Sequence, residues 1–247
     1  MKFKKGKYKF GLIGYPLEHS FSPDYFANKF KSLGIKKSEY LAYPIENISQ
    51  VNEIFNKGLA GLNVTIPYKE KVIPYLDELS DEAYEINAVN TIKITEGRKV
   101  GYNTDVYGFE MSLKSFLGNR KVEHALILGT GGASKAIKFV LCKLNINFSI
   151  VSRNPDFLMY SQLTEDIIQK NKLIINTTPL GMYPNIEECP NLPYSALTDQ
   201  HFLFDLVYNP EKTLFLKQGE MHNCNIKNGY EMLILQAEKS WEIWNHH

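Results

Sequence analysis

A lysine and an acidic residue stand out in this sequence because each lies close to the end of a predicted strand, among hydroxyl and amide side chains. Lys69 follows the strand GLNVTI (61–66), and Asp105 ends the segment Asn-Thr-Asp at 103–105. A lysine whose pKa is lowered by partial burial can donate or accept a proton, and a nearby acid can orient it. The pair is therefore suited to proton transfer on a polyhydroxylated substrate. The alternative is that both are ordinary surface charges at the starts of helices.

Other polar residues of the first half could hold such a substrate. Ser20 and Ser22 are two residues apart, so in an extended chain their hydroxyls would point the same way. Such a pair can bind a carboxylate or a hydroxyl without adding charge. Thr65 lies on the strand before Lys69, and Asn90 ends a further predicted strand. Ser22 is followed by proline and is also a good N-cap for a helix, a role that is compatible with binding.

A glycine-rich segment in the second half indicates a dinucleotide site. It follows the apolar strand HALILG (124–129) and opens a predicted helix. Glycines allow a tight turn and a close approach of the backbone to a pyrophosphate, and the helix N-terminus supplies N–H donors. The alternative is a plain tight turn, since Ser134 stands where the usual fingerprint has its third glycine. The segment comprises Gly129, Thr130, Gly131, Gly132 and Ala133.

The end of the next strand, NFSIVS (147–152), distinguishes between two cofactors. The chain continues there as Ser152-Arg153-Asn154. An acidic residue at this place would bind the 2′-hydroxyl of NAD, whereas an arginine accommodates the 2′-phosphate of NADP. Arg153 therefore favours NADP over NAD. Asp156 lies close enough to leave NAD open, and Arg153 could also be a solvated loop charge.

Predicted strands and helices alternate along the chain in two series. The first contains strands at 8–13, 38–43 and 61–66 and a hairpin whose arms are INAVNTIKI and RKVGYN. The second begins at residue 124, and the chain ends in a long amphipathic helix, YEMLILQAEKSWEIW. Alternating strand and helix units are typical of largely parallel sheets covered by helices. The sequence thus predicts an α/β protein with two domains.

Charge and composition exclude several classes of protein. The 247 residues carry a net charge of +1, but five lysines lie within the first nine residues, so the rest of the chain is slightly acidic. That balance argues against broad nucleic-acid binding, which needs basic stripes. We attribute the lysine-rich start to solubility or to fraying at the terminus. No apolar run is long enough to span a membrane.

The three cysteines, Cys142, Cys189 and Cys224, are far apart and form no metal-binding pattern. Neither a disulfide framework nor a metal site is expected, which favours a reducing compartment and hence the cytoplasm.

A series of motifs in the same order resembles the shikimate dehydrogenase family. The match extends from residue 11 to about residue 236, which is nearly the whole chain. Its segments are GLIG (11–14), HSFSP (19–23), NVTIPYK (63–69), AVNT (88–91), GYNTD (101–105), the glycine loop, SRN (152–154), NTTPLGM (176–182), DLVY (205–208) and NGYEMLILQ (228–236).

The resemblance implies a reversible reduction of 3-dehydroshikimate to shikimate with NADPH. It implies a substrate-binding catalytic domain at 1–105, an NADP-binding Rossmann-like domain at 106–228, and a C-terminal helix at 229–247 that returns to the first domain. Lys69 would be the acid/base and Asp105 would bind the same part of the substrate. The implied substrate ligands are Ser20, Ser22, Thr65, Asn90, Tyr208 and Gln236. Thr177, Leu206 and Gly229 would line the nicotinamide side.

Two departures from the family pattern affect these expectations. The His-Asn pair that commonly follows the serine motif is Phe26-Ala27 here, and we expect repacking without loss of activity. Glu231 stands where many members have a small residue.

Three alternative functions remain open. The first is a quinate/shikimate dehydrogenase that uses NAD. The second is a non-catalytic dinucleotide sensor, which the presence of Lys69 and Asp105 argues against, and the third is a folate dehydrogenase of the same fold, which the two-serine motif disfavours. Either a monomer or a homodimer fits the sequence.

Overall fold

The computed structural model describes residues 8–18 and 20–245. The lysines that precede Lys9, and His19 of the serine motif, lie outside the described residues. Within the described part the chain forms twelve strands and eight α-helices. In chain order they are β1 (Lys9–Gly14), α1 (Phe21–Ser32), β2 (Glu39–Pro44), α2 (Val51–Phe55), β3 (Gly61–Val64), β4 (Glu78–Leu79), α3 (Asp81–Ile86), β5 (Thr91–Thr95), β6 (Arg98–Tyr102), α4 (Thr104–Leu117), β7 (His124–Leu128), α5 (Gly132–Lys143), β8 (Asn147–Ser152), β9 (Leu158–Met159), α6 (Glu165–Lys170), β10 (Leu173–Asn176), β11 (Phe202–Asp205), α7 (Leu214–Met221), β12 (Asn225–Lys227) and α8 (Tyr230–Asn245).

The chain divides into two compact units. The first runs to Thr104 and resumes at Ala237, and the second is Asp105–Gln236. The division therefore falls inside α8, eight residues beyond the boundary after residue 228 that the resemblance implies. Close packing accounts for this, because a Cβ atom on Gly108 of α4 would lie 2.6 Å from the carbonyl oxygen of Met232 in α8. The first turns of α8 thus pack on α4 and belong to the second unit, whereas its last turns belong to the first unit.

The first unit is built on a six-stranded mixed sheet with the strand order β2-β1-β3-β5-β6-β4. Its first three strands are parallel, whereas β5 and β6 form the predicted antiparallel hairpin. The turn of the hairpin has positive φ at both central residues, Glu96 (52°) and Gly97 (83°), a geometry that suits the twist of two paired strands. The hairpin is why this sheet is mixed and not largely parallel as predicted.

An aromatic cluster joins the end of α8 to this sheet. Trp244 stacks on Phe10 of β1, with ring centroids 4.7 Å apart. Its indole Nε1 donates a hydrogen bond of 2.9 Å to the backbone oxygen of Ile92 in β5. Phe26, which departs from the family pattern, is fully buried and stacks on Tyr40 at 4.6 Å. The C-terminal helix therefore returns to the first unit, as predicted.

The second unit contains a six-stranded parallel sheet with the order β12-β11-β10-β7-β8-β9. The chain runs outward from β7 to β9 and then returns to the other side of β7 with β10. This is the order of a doubly wound dinucleotide-binding fold, in which ligands bind where the strand order reverses. The predicted fold class, α/β with a Rossmann-type second domain, is confirmed. No helix within residues 8–18 and 20–245 is long and apolar enough to cross a membrane.

Candidate functional site

Two predicted substrate residues of the first unit, Thr65 and Asn90, lie at one edge of its sheet. Backbone hydrogen bonds hold these residues against the neighbouring strands. The N–H of Thr65 donates to the backbone oxygen of Ile13 at 2.9 Å, and the N–H of Asn90 donates to the backbone oxygen of Tyr102 at 3.0 Å. A further bond of 2.9 Å runs from the N–H of Val64 to the oxygen of Asn90. Strands β1, β3 and β6 end at this edge and β5 begins there, because β5 runs antiparallel to its neighbours.

Lys69 lies just beyond this edge, half-buried, in a run of turns that follows β3. The expectation that it begins a helix is wrong. The chain forms turns up to residue 72, and the next helical segment is a single 3₁₀ turn at Ile73–Tyr75. The backbone oxygen of Lys69 accepts a hydrogen bond of 2.7 Å from the N–H of Val89. This bond holds the lysine segment against the residues that lead into Asn90.

The two serines are arranged differently from the expectation. Ser20 occupies the N-cap position of α1 with extended backbone (φ −75°, ψ 129°), and Ser22 is already inside the helix. The predicted cap at Ser22 and the extended geometry of the pair are therefore wrong. Pro23 is compatible with this start because it lies in the first turn of the helix. The hydroxyl of Tyr40 donates a hydrogen bond of 2.8 Å to Oδ1 of Asn63, and burial raises the pKa of this hydroxyl.

Asn90 is buried, and the orientation of its amide is fixed by its partners. Its Oδ1 accepts a hydrogen bond of 2.7 Å from the backbone N–H of Thr104. The hydroxyls of Thr104 and Thr91 donate to the same oxygen, each at 3.2 Å. Two further residues, Thr91 and Asn63, contact Asn90 and are not among the predicted ligands; Nδ2 of Asn63 donates to the backbone oxygen of Asn90 at 3.1 Å. The available signal for Asn63 is that it lies two residues before Thr65 at the end of β3, so that both point to one face of an extended chain.

In the second unit, the glycine loop has the features that a dinucleotide requires. Gly129 has a φ of +107°, which favours glycine, and a Cβ atom there would lie 2.9 Å from Oγ1 of Thr177. Gly131 is the N-cap of the twelve-residue helix α5. Among the described residues, apart from the adjoining residues of the loop and helix, no heavy atom lies within 4 Å of the Cβ position of Gly131 or Gly132. The loop and the helix start therefore fit a pyrophosphate group.

The other predicted cofactor residues follow neighbouring strands of the same sheet. Arg153 is exposed at the end of β8, where Ser152 Oγ accepts a hydrogen bond of 3.1 Å from the N–H of Asn154. Thr177 follows β10, and its hydroxyl donates to the backbone oxygen of Leu128 at 2.7 Å. Since β7, β8 and β10 are adjacent, these segments share the carboxyl edge at which the strand order reverses.

Leu206 and Gly229 lie together at the same edge. A Cβ atom on Gly229 would overlap the backbone oxygen of Leu206, so only glycine allows this approach. The N–H of Leu206 donates to the oxygen of Asn176 at 3.0 Å. Leu206 therefore follows β11 in contact with the end of β10, next to the segment that carries Thr177.

Three predicted substrate residues belong to the second unit. Asp105 is buried in the first turn of α4, and Gln236 is buried in α8. The two helices pack closely at Gly108, whose Cβ position lies 3.1 Å from Cβ of Gln236. Tyr208 is half-buried in the segment after β11, and burial raises the pKa of its phenol.

Within residues 8–18 and 20–245 no group of three or more His, Cys, Asp or Glu side chains is placed to hold a metal ion.

The chain is similar to shikimate dehydrogenases both in sequence and in structure. Residues 12–92 match the family model described as the shikimate dehydrogenase substrate binding domain. A protein of Methanococcus vannielii, shikimate dehydrogenase (NADP(+)), is 38% identical and covers 95% of this chain and 90% of its own length. The crystal structure of shikimate 5-dehydrogenase from Thermus thermophilus in complex with NADP(H) and shikimate is 29% identical, has a TM-score of 0.85, and covers 96% of this chain and 93% of that one. Quinate dehydrogenase from Corynebacterium glutamicum in complex with NAD is 26% identical with a TM-score of 0.85, and covers 96% of this chain and 93% of that one.

Proposed function

Because this chain belongs to the shikimate dehydrogenase family, we propose that it catalyses the NADP-dependent, reversible reduction of 3-dehydroshikimate to shikimate. The observation that carries the proposal is the extent of the similarity. It covers 95% of the chain at 38% identity and so includes both units. A dinucleotide sensor would need only the second unit, whereas this chain also retains Lys69, Asn90 and the serine segment in the first.

The second unit would hold NADP along the carboxyl edge of its sheet. The segment from Gly129 to Ala133 and the start of α5 would bind the pyrophosphate through backbone N–H groups. Arg153, with Ser152 and Asn154, would bind the 2′-phosphate. Thr177, Leu206 and Gly229 would lie along the nicotinamide. When it is bound, the cofactor supplies the hydride chemistry, and the protein supplies binding and orientation.

The substrate carboxylate would be bound by hydroxyl groups. Ser20 and Ser22 lie at the start of α1, where the N–H groups of the first turn and the positive end of the helix dipole also favour an anion. Thr65, Asn90, Tyr208 and Gln236 would bind the ring hydroxyls and the carboxylate. These ligands carry no net charge, so the specificity for shikimate would come from the arrangement of hydrogen bonds.

Lys69 would hold the proton that moves at the reacting oxygen of the substrate, and Asp105 would accept a hydrogen bond from the same part of the ligand. As shikimate is oxidised, the Nζ atom of Lys69 would take the proton of the reacting hydroxyl. In the reverse direction it would return that proton to the oxygen. General acid/base groups of this kind contribute about 10²–10⁴ to a rate.

The test is an absorbance assay of cofactor reduction with shikimate and with quinate, each with NADP+ and with NAD+. We expect turnover with shikimate and NADP+, and much weaker activity with NAD+. The absence of turnover with shikimate under either cofactor would overturn the proposal. Faster turnover of quinate with NAD+ would favour the alternative represented by the quinate dehydrogenase, whose similarity to this chain also covers both units.

We further propose that the protein works in the cytoplasm as a monomer or homodimer and binds no nucleic acid. The three cysteines are free thiols, which agrees with a reducing compartment. Light scattering coupled to size-exclusion chromatography would measure the oligomeric state. A larger assembly, or retention of the protein on a DNA column at physiological salt, would contradict this proposal.

A further inference from the structure

A buried group of hydroxyls lies directly beneath Asn90, and Thr91 is at its centre. The Thr91 side chain is fully buried. Its Oγ1 lies 2.7 Å from Oγ of Ser240, 3.2 Å from Oδ1 of Asn90 and 3.3 Å from Oγ1 of Thr104. Asn63 donates to it from Nδ2 at 3.1 Å. One hydroxyl therefore joins residues of β3, β5, α4 and α8, all within the first unit.

The partners of Asn63 fix the direction of these hydrogen bonds. Its Oδ1 accepts from the hydroxyl of Tyr40 at 2.8 Å, so its Nδ2 is the group that faces Thr91. Thr91 Oγ1 is therefore an acceptor toward Asn63 and has a single hydrogen to give to another group. Oδ1 of Asn90 is a carbonyl oxygen that can only accept, whereas the hydroxyls of Ser240 and Thr104 can also donate. The Thr91 hydrogen is therefore best used by Asn90.

The result is a fixed orientation of the Asn90 amide. Its oxygen accepts from the Thr91 hydroxyl and from the backbone N–H of Thr104, which precedes Asp105 in the chain. The NH₂ group is then the part of the amide that can donate to an oxygen of a ligand. Without these contacts the amide could turn over and present an acceptor in place of a donor.

We propose that Thr91 is a positioning residue for substrate binding, which acts by holding Asn90 with its NH₂ group toward the substrate. The inference rests on the proposed function, since Asn90 is a ligand only if the first unit binds shikimate. Thr91 itself does not touch the substrate, because it is fully buried behind Asn90.

Two substitutions at Thr91 separate hydrogen bonding from packing. Thr91→Val keeps the shape of the side chain and removes the hydroxyl, whereas Thr91→Ser keeps the hydroxyl and removes the methyl group. We expect Thr91→Val to raise KM for shikimate about ten-fold, as the loss of an orienting hydrogen bond does, with KM for NADP+ changed less than about two-fold. Thr91→Ser should stay within about two-fold for both constants. A role in packing alone predicts the reverse order.

A double-mutant cycle with Asn90→Ala tests whether Thr91 acts through Asn90. In the Asn90→Ala background, Thr91→Val should change KM for shikimate by less than about two-fold. If Thr91→Val is unfolded at the assay temperature, Thr91→Ala takes its place, because it also removes the hydroxyl that donates to Asn90. It should raise KM for shikimate in the same selective way.

The outcomes distinguish this inference from the proposed function. Suppose that the unaltered protein oxidises shikimate. If Thr91→Val and Thr91→Ser then behave alike, or if the full effect of Thr91→Val persists in the Asn90→Ala background, the role of Thr91 is overturned and the proposed function stands. If the unaltered protein does not turn over shikimate, the proposed function and the inference are both overturned.

Discussion

Asn176 Nδ2 donates a hydrogen bond of 2.9 Å to Oδ1 of Asp205, and this bond links the ends of the neighbouring strands β10 and β11. The same carboxylate accepts hydrogen bonds from the N–H of Val207 at 3.0 Å and from the hydroxyl of Thr213 at 2.5 Å. Asp205 is fully buried, and burial raises its pKa to about 6 despite these three donors. The strand ends that carry Thr177 and Leu206 are thus held by an acid that titrates near neutral pH.

The raised pKa of Asp205 predicts a pH dependence of stability. The folded protein binds the proton of this group more tightly than the unfolded chain, whose aspartate has a pKa of about 3.9. The contribution to the free energy of unfolding is therefore fully present below about pH 4 and is lost as pH rises to about 6. Relative to Asp205→Asn, which does not titrate, the unaltered protein should lose up to about 3 kcal/mol over this range.

Urea denaturation of both proteins at several values between pH 4 and pH 7 measures this difference. The comparison is needed because burial lowers the pKa of His201, which gives a contribution of opposite sign. His201 is present in both proteins, so its effect cancels in the difference. Parallel stability curves for the two proteins would show that the Asp205 carboxyl titrates normally.

Arg153 provides a test of cofactor choice. Arg153→Ala should raise KM for NADP+ by about 10–100-fold, because a hydrogen bond to a charged group contributes about 1.5–3 kcal/mol. KM for NAD+ should change by less than about two-fold, since NAD has no 2′-phosphate. Lys121→Ala, which removes an exposed positive charge elsewhere in the second unit, is the matched control. An equal loss of affinity for both cofactors would contradict the assignment of Arg153 to the 2′-phosphate.

The sequence predicted those features that depend on local chain geometry. The turn at Glu96-Gly97 could be predicted because it lies between two strands, and the loop at Gly129 because it joins a strand to a helix; in both, positive φ leaves few alternatives. The prediction for the serine segment was wrong because the start of α1 depends on packing of the helix against the sheet, where Phe26 stacks on Tyr40.

The cluster of buried hydroxyl side chains around Thr91 could not be predicted from the sequence. It unites residues that are separated by up to 177 positions, and they meet only because β5 pairs with β3 and α8 returns to the first unit. Short polar side chains also have no periodic signal, in contrast to the apolar faces of the strands. The same reasoning applies to Asp205, whose raised pKa follows from burial between strands and not from its neighbours in the chain.

Lys69 is the residue whose loss should affect the chemical step most. Lys69→Ala should lower kcat by about 10²–10⁴ with a smaller change in KM for shikimate, as expected for a general acid/base. Lys71→Ala is the matched control, since Lys71 is exposed only two positions away and should keep full activity. Steady-state kinetics of the three proteins with saturating NADP+ decide the question. An unimpaired kcat for Lys69→Ala would remove Lys69 from this role.

Trp244 should be the main anchor of the C-terminal helix on the first unit. It packs on Phe10 and Phe26, and a Cβ atom on Gly61 would overlap the indole, so the ring lies directly over β3. Trp244→Ala should lower the free energy of unfolding by about 3–5 kcal/mol, the usual cost of removing a large buried aromatic side chain. Trp244→Phe keeps a ring but leaves the oxygen of Ile92 without the indole donor, so about 1–2 kcal/mol should be lost.

The fluorescence of Trp241 can follow the unfolding of these variants in urea, because it is the only other tryptophan of the chain and lies on the same helix. Its ring also contacts Phe10, at 5.7 Å between centroids, so its emission should change when α8 leaves the sheet. A Trp244→Phe variant as stable as the unaltered protein would show that the bond to Ile92 adds nothing to the anchor. A Trp244→Ala variant with unchanged stability would show that α8 does not depend on the aromatic cluster. The last turns of the helix would then be held mainly by the hydrogen bonds of Ser240 with the hydroxyls of Thr91 and Thr104.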